Sequence, residues 1–140
     1  MNTPATWSEE APAKWSEENE VDITVELIAD YAAAIGEEAL AYSSGAPAPP
    51  MFAVVYAAPA IWWTVLAAVD GSGPLIHAAQ EFEWYAPVRA GDRIATRARL
   101  ERTSIDGAHR TLCFRSISRN ERRGLVSRGR WTILVPEGGL

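Results

Sequence analysis

The segment GEEALAYSSGAPAPPMF, residues 36–52, contains the side chains of this sequence that are best suited to proton transfer. Glu37 supplies a carboxylate and Tyr42 a phenol, and the segment contains no histidine. A carboxylate can act as a general base, but a phenol of pKa about 10 is poorly matched to this step unless it is strongly perturbed. Glu37 is therefore a weak catalytic candidate or a solvated carboxylate beside Glu38, and Tyr42 is a proton donor or a packing residue.

Few other residues have side chains suited to catalysis or to metal binding. The chain has two histidines and one cysteine, which excludes an internal disulfide and a cysteine-based metal site. His77 lies three residues before Gln80, and it is interpreted as a half-buried, hydrogen-bonded histidine or as a pocket wall or partner contact. Gln80 alternates with apolar residues, so it is expected to face inward and to need hydrogen-bond partners. His109 follows a turn signal at 106–107 and should face solvent, and Cys113 lies between two apolar residues as a structural core thiol.

The elements on either side of this segment are predicted to be helices. Thr24 has the character of an N-cap and Gly36 that of a helix stop. The apolar face of the first helix is predicted to comprise Leu27, Ile28, Tyr31, Ala34 and Ile35. Residues 51–69 are apolar on nearly every face, which is typical of a buried helix, and Pro59 is expected to kink it or to end its first half.

After residue 73 the pattern changes to a period of two, which indicates strands. In the first strand one face is predicted to hold Ile76, Ala78, Gln80, Phe82 and Trp84, and the other His77, Glu81, Glu83 and Tyr85. Three further strands follow between turn signals, so the fold class is α+β with an antiparallel sheet. Residues 1–20 are predicted to form an acidic N-terminal arm, and residues 21–140 a single domain. Trp7 and Trp15 in the arm either dock on the body, which is favoured, or lie in solvent.

Charge is divided unequally between the two halves of the chain. Before Arg89 there are 13 acidic residues and one basic residue, whereas from Arg89 onward 12 arginines face 5 acids. An arginine-rich half suits an acidic partner or a solvated sheet face, and Arg89 and Arg93 are the candidates for contacting phosphate groups. The arginines are spread along strands without stacking aromatics, so no nucleic-acid partner is expected. The N-terminus lacks a secretory signal, and a cytoplasmic protein with no membrane partner is predicted.

Several segments resemble a known family. LIHAAQEFEWYAPVRAGDRI, together with DYAAAIGEE and APAPPMF upstream, resembles the MaoC-like hot-dog hydratases and dehydratases. The similarity is greatest to the fatty-acid-synthase-like dehydratase group, which includes the non-catalytic-type subunits of (3R)-hydroxyacyl-thioester dehydratases. The resemblance covers residues 23–135 and implies a single hot-dog domain, in which a curled antiparallel sheet wraps around a long central helix.

The resemblance also implies an activity. Members of the family hydrate trans-2-enoyl thioesters of coenzyme A or acyl carrier protein reversibly, act as pairs of hot-dog units, and need no metal or redox cofactor. An aspartate and a histidine in a loop reading Asp-x-Asn-Pro-x-His form the acid/base pair, and a helix N-terminus polarises the thioester carbonyl. On this sequence the aspartate falls on Glu37 and the histidine on Tyr42, and PPMF stands where active members carry His-Gly. The acid/base pair is therefore missing.

Three functions remain open. The favoured one is a subunit of an (R)-specific enoyl-thioester hydratase that supplies acyl binding, while a partner hot-dog chain carries the Asp/His pair. The alternatives are a self-sufficient homo-oligomeric hydratase or acyl-CoA thioesterase, and a non-enzymatic acyl-thioester binder. A thioesterase would need a carboxylate on the central helix, and residues 51–69 contain none. The candidate substrate-binding residues are Tyr42, Pro50, Met51, Phe52, Val55, Trp62, His77 and Gln80.

Overall fold

The computed structural model describes residues 13–42, 45–69 and 73–136. Five strands form one antiparallel sheet in the order β1-β3-β4-β5-β2, and two α-helices accompany it. The elements are β1 (Asn19–Asp22), α1 (Val25–Ala34), α2 (Ala53–Ala68), β2 (Ile76–Trp84), β3 (Arg93–Asp106), β4 (His109–Asn120) and β5 (Gly124–Pro136). The predicted α+β class, with a curled sheet folded around one long helix, is confirmed.

Helix α1 begins where the sequence indicates. The Thr24 hydroxyl accepts a hydrogen bond from the Leu27 N–H at 3.0 Å, which satisfies one free donor of the first turn. Gly36, at φ +80°, leaves the helix through the left-handed region that a residue with a side chain rarely adopts. The predicted apolar face is wrong at its end, because Ile28 and Ala32 are buried whereas Ala34 and Ile35 are exposed.

Helix α2 forms the centre of the core. It follows a 3₁₀ turn at Pro50–Phe52 and packs against β1, β3 and β4. Pro59 does not end the first half of the helix, since the helix is continuous from Ala53 to Ala68, and a kink at Pro59 stays a prediction. Proline removes a single backbone N–H, and the burial of one face of the helix, including Tyr56, Ile61 and Val65, offsets that loss.

The expectation that α2 is buried on every face is also wrong. Trp62, Trp63 and Leu66 are 39%, 70% and 55% exposed. The sheet covers only one side of the helix, so its other side keeps a wide apolar surface. By length and composition, Pro50–Ala68 would suffice to span a membrane, a test that the core helix of a soluble protein also passes.

Strand β2 differs from its predicted face assignment because it contains a β-bulge. The register shifts between His77 and Ala79, so that His77 lies opposite Ile133 and Gln80 opposite Trp131. Ile133 and Trp131 both point into the core. The bulge therefore turns His77 to the same face as Gln80 and Phe82, and Ile76 to the other face, contrary to strict alternation.

The inner face of the sheet carries buried hydroxyl groups as well as apolar side chains. Thr96 and Ser118 are hydrogen-bonded at 2.8 Å, and Ser116 accepts from the Trp131 indole at 3.0 Å. Each buried hydroxyl in these pairs thus has a partner, as burial requires. Cys113 is buried as predicted, but its place opposite Thr132 puts it on the sheet face turned away from α2.

The described part of the N-terminal arm lies along the sheet. Ala13 and Ser16 donate backbone hydrogen bonds to Leu100 and Ala98, and Trp15 lies under the Arg99 guanidinium, 4.4 Å from its ring centroid. Residues 13–18 thereby continue β1 along β3, and the sequence-based boundary at 20/21 falls inside β1. Trp7 lies outside the described residues.

Candidate functional site

An apolar pocket of about 380 Å³ opens beside the start of α2. The proline-rich segment 47–50, the first turns of α2 and the segment that follows β2 enclose it. Its walls are Tyr42, Pro47, Ala48, Pro49, Pro50, Phe52, Ala53, Tyr56, Trp84, Ala86, Pro87 and Val88. The volume lies within the range of pockets that bind small organic ligands.

Hydrogen bonds fix the proline-rich segment to the sheet. Ala48 N–H donates to the Val88 carbonyl at 2.7 Å, and the Trp84 indole donates to the Pro50 carbonyl at 2.8 Å. The Arg89 Nε donates to the Gly45 carbonyl at 3.0 Å, beside an isolated bridge between Pro47 and Arg89. These bonds hold the segment as a fixed wall of the pocket.

Glu37 and Tyr42 meet at one edge of this pocket. The turn at Gly36 and the 3₁₀ turn at Ala39–Tyr42 bring the two together, and the Tyr42 hydroxyl donates a hydrogen bond to the Glu37 carboxylate. That bond raises the pKa of Tyr42, with a smaller contribution from burial. The hydrogen bond and the neighbouring negative charge thus favour the protonated phenol, which donates to Glu37.

The start of α2 offers few free donors to a ligand. Pro50 has no N–H, while Phe52 N–H donates to the Pro49 carbonyl at 2.9 Å and Ala53 N–H to the carbonyls of Pro50 and Met51. The Ala86 N–H is also engaged, with the Val126 carbonyl at 3.3 Å. The N–H groups of Phe52 and Ala53 are thus occupied by their own turn.

A column of aromatic rings connects the pocket to the core. Tyr31 packs edge-on against Phe52 with centroids 5.6 Å apart, and Phe52 packs in the same way on Tyr56 at 6.1 Å. The Tyr56 hydroxyl pairs with the Ser127 hydroxyl at 2.9 Å. Burial raises the pKa of Tyr56 to about 12, so this wall is uncharged.

The candidate binding residues are divided between this pocket and other places. Tyr42, Pro50 and Phe52 line the pocket. Met51 is exposed, Val55 is half-buried and Trp62 lies on the open side of α2, and none of the three lines it. Sequence reasoning missed Trp84 and the 86–88 wall, although both lie within the segment QEFEWYAPV that carries the resemblance.

His77 and Gln80 lie on the edge strand β2, outside the pocket walls. The His77 imidazole stacks on Trp131 with centroids 5.4 Å apart and planes 19° apart. The Gln80 Nε2 is inaccessible to solvent and has no hydrogen-bond partner within the described residues. The prediction of a half-buried, hydrogen-bonded His77 is therefore wrong, because the residue is exposed and no hydrogen bond of its side chain is seen within the described residues, whereas Gln80 is partly buried.

The two arginine candidates differ in how they are engaged. Arg93 bonds to Asp22 at 2.8 Å and lies 3.6 Å from Glu20, so two carboxylates already balance its charge. Arg89 is half-buried, directly follows the pocket residue Val88, and uses its Nε on the loop carbonyl of Gly45. Only Arg89 lies next to the pocket.

The remaining polar candidates do not join the site. His109 is exposed, as predicted. Cys113 lies 3.8 Å from Glu101, and burial is the main cause that raises the pKa of its thiol, which disfavours a nucleophilic thiolate. Within the described ranges, no three histidine, cysteine or acidic side chains cluster in a way that could hold a metal ion.

Comparisons with solved structures identify the fold class. The HadBC (3R)-hydroxyacyl-ACP dehydratase complex of Mycobacterium tuberculosis matches with a TM-score of 0.71 and 19% identity, over 91% of this chain and 98% of that chain. The R-hydratase PhaJ1 of Pseudomonas aeruginosa matches with a TM-score of 0.63 and 18% identity, over 91% and 83% of the two chains. A MaoC-like dehydratase of Rhodospirillum rubrum matches with a TM-score of 0.59 and 18% identity, over 93% of this chain and 95% of that chain. The fold is the hot-dog fold.

The family follows from the sequence profile. The FAS1-like, dehydratase domain region profile matches residues 10–122, so the chain belongs to that family of hot-dog dehydratases and hydratases. No curated protein sequence matches the chain significantly.

Proposed function

We propose that this chain is the acyl-binding subunit of an (R)-specific enoyl-thioester hydratase, whose partner hot-dog chain carries the Asp/His pair. The observation that carries the proposal is the pocket itself: its walls are apolar, and Glu37 and Tyr42, which the resemblance puts at the acid/base positions, meet at its edge as a carboxylate–phenol pair. Water addition to an enoyl thioester needs proton transfer near neutral pH, which imidazole performs well and a phenol of raised pKa performs poorly.

The hydrogen-bond inventory supports a pocket for the acyl group rather than for the reacting carbonyl. An enolate-like oxygen needs free N–H donors, and those of Ala48, Phe52 and Ala53 are already bound to backbone carbonyls. A hydrocarbon chain needs no hydrogen-bond donor. The acyl group would therefore occupy the pocket, with its thioester at the mouth, where the partner's catalytic loop acts.

Two exposed surfaces suit a hot-dog partner. Strand β2 is a long strand at the edge of the sheet, and Trp84 is exposed at its end. The open side of α2 presents Trp62 and Leu66, so burial of both surfaces by one partner would remove a large apolar area from water. The related HadBC protein is itself a complex.

The carrier arm of the thioester would leave the pocket past Arg89. A guanidinium fixed on the Gly45 carbonyl by its Nε keeps its terminal N–H groups for a phosphate of coenzyme A or of a carrier-protein arm. The reaction moves only protons and water, so the proposal requires no metal or redox cofactor.

The contact between Glu37 and Tyr42 favours a second candidate, a hydratase that works without a partner. In that case Glu37 would accept a proton from water and Tyr42 would return one to the substrate. The raised pKa of Tyr42 weakens it as an acid, which is why this candidate ranks second.

The test is to follow the enoyl-thioester absorbance of crotonyl-CoA and of a longer trans-2-enoyl-CoA with the purified chain. We expect no turnover by the chain alone and turnover on adding a hot-dog chain with an intact Asp-x-Asn-Pro-x-His loop, above the activity of that chain by itself. Turnover by the isolated chain that Glu37→Ala abolishes would establish the second candidate. If no combination shows turnover, the remaining function is that of a non-enzymatic acyl-thioester binder.

A further inference from the structure

We propose that the Glu37–Tyr42 pair binds an amide N–H of the pantetheine arm that carries the acyl group, and so determines which thioesters enter the pocket. The inference rests on the proposed function, since it places the thioester at the pocket mouth. It gives these two residues a binding role in the positions where the family carries its acid and base.

The direction of one hydrogen bond carries the inference. A phenol has a single proton, and Tyr42 donates that proton to the Glu37 carboxylate. Tyr42 lines the pocket, and its oxygen, having given its proton to Glu37, can act toward a ligand only as an acceptor. Because linked hydrogen bonds polarise each other, donation to a carboxylate makes the Tyr42 oxygen a stronger hydrogen-bond acceptor.

The chemistry of the neighbouring walls selects the ligand group. The other pocket walls are prolines, aromatic rings and small aliphatic side chains, and the Trp84 indole and the Ala48 N–H are already used on backbone carbonyls. The mouth thus offers acceptors to a ligand that must bring its own donor. A pantetheine arm has amide N–H groups a few bonds from the thioester sulfur, whether it belongs to coenzyme A or to a carrier protein.

The chain contains a matched pair that serves as the control. The Tyr85 hydroxyl donates to the Glu83 carboxylate at 2.6 Å, and this hydrogen bond is the main cause that raises the pKa of Tyr85. Neither Tyr85 nor Glu83 lines the pocket. Tyr85→Phe therefore removes the same chemical group from the same kind of bond without touching the proposed site.

The experiment measures the dissociation constants of three unreactive thioesters by tryptophan fluorescence or ligand-observed NMR, using the full chain. The probes are butyryl-CoA, butyryl-N-acetylcysteamine, which keeps the amide nearest the sulfur, and S-ethyl thiobutyrate, which has no amide. Tyr42→Phe should weaken the first two by roughly 2- to 12-fold, as expected for one neutral hydrogen bond, and leave the third unchanged. Tyr85→Phe should change none of them.

Glu37→Gln tests the role of the carboxylate, because its amide oxygen still accepts the Tyr42 proton but carries no charge. We expect this variant to bind butyryl-CoA more weakly than the wild type and more tightly than Tyr42→Phe. Equal affinities of wild type and Tyr42→Phe for butyryl-CoA would overturn the inference. It would also be overturned if Tyr42→Phe weakened the binding of S-ethyl thiobutyrate as much as the binding of butyryl-CoA. Because binding is measured without a partner, failure of the partner to restore turnover refutes only the proposed function. Absence of acyl-CoA binding, alone and with a partner, would refute both.

Discussion

At the scale of single residues, the core beneath β2 and β5 depends on close contacts that tolerate little change. Gly129 lies opposite Phe82 in the β2–β5 pair, and the Trp131 and Phe82 rings meet edge-on at 5.5 Å beside it. A methyl group on Gly129 would lie 2.5 Å from the Ser116 Oγ, 2.7 Å from the Trp131 Nε1 and 2.9 Å from Phe82. The absence of a side chain here lets these groups pack.

We predict that Gly129→Ala lowers the free energy of unfolding by about 1–3 kcal/mol, the usual cost of overpacking a core. Urea denaturation followed by tryptophan fluorescence measures the change. Ala79→Ser, at an exposed position of the neighbouring strand, should stay within about 0.5 kcal/mol of the wild type. Equal stability of Gly129→Ala and wild type would contradict the packing described for Trp131.

Because of the buried Tyr56 hydroxyl, the free energy of unfolding should depend on pH in the alkaline range. Its pKa is about 12 in the folded chain and about 10 when unfolded. As pH rises, the unfolded chain therefore loses this proton first. The contribution of Tyr56 to the free energy of unfolding is fully present below about pH 10. It is lost between about pH 10 and 12, and the loss is at most roughly 2–3 kcal/mol.

Tyr56→Phe should reduce this fall in stability, at the cost of leaving the Ser127 hydroxyl without its partner. Unfolding curves at pH 8 and at pH 11 for both proteins measure the difference. A variant whose stability falls as steeply as that of the wild type over this range would show that Tyr56 is not the group responsible.

At the scale of elements, the N-terminal segment 13–18 is held to β3 by side chains as much as by backbone. The Arg99 guanidinium covers Trp15, Glu18 pairs with Arg97 at 3.1 Å, and the Ser16 hydroxyl accepts from the Ala98 N–H at 3.0 Å. Each contact is near the surface, where such interactions contribute about 1 kcal/mol or less. The segment should therefore detach before the sheet unfolds.

We predict that Trp15→Ala increases the hydrogen-exchange rate of the Ala98 amide several-fold, and that the global free energy of unfolding changes by less than about 1 kcal/mol. Exchange followed by NMR resolves this amide from that of Leu112, a core residue of β4 that serves as the internal reference. An unchanged Ala98 rate would mean that backbone pairing alone holds the segment.

At the scale of the whole molecule, the sheet and α2 leave one apolar side uncovered. The proposed partner would cover it, so a charge placed there should block assembly without unfolding the chain. Leu66, 55% exposed, lies on this side, whereas Ile105, 63% exposed, lies on the hairpin between β3 and β4. The two residues make a matched pair for substitution.

We predict that Leu66→Glu reduces partner-dependent turnover at least tenfold, because burying an unpaired carboxylate is costly. Ile105→Glu should leave turnover and assembly unchanged, and both variants should retain the wild-type circular dichroism. Size-exclusion chromatography with light scattering reports the assembly directly. Normal assembly of Leu66→Glu would place the partner elsewhere.

The sequence by itself determined the α+β class, the capped helix α1, the central helix and the absence of histidine from residues 36–52. These follow from periodicity, from capping and turn residues, and from residue identity, all of which act locally. That Glu37 and Tyr42 stand at the positions of the family's acid and base stays a prediction.

Only the tertiary structure decided the rest. A bulge in β2, set by pairing with β5, turned His77 to the inner face, and strict alternation could not anticipate that shift. Helix α2 is apolar all round, but how much of it is buried depends on what packs around it, and one sheet covers one side. The contact between Glu37 and Tyr42, and the pocket that the proline-rich segment closes against Trp84, likewise depend on backbone turns and long-range contacts that residue type alone does not fix.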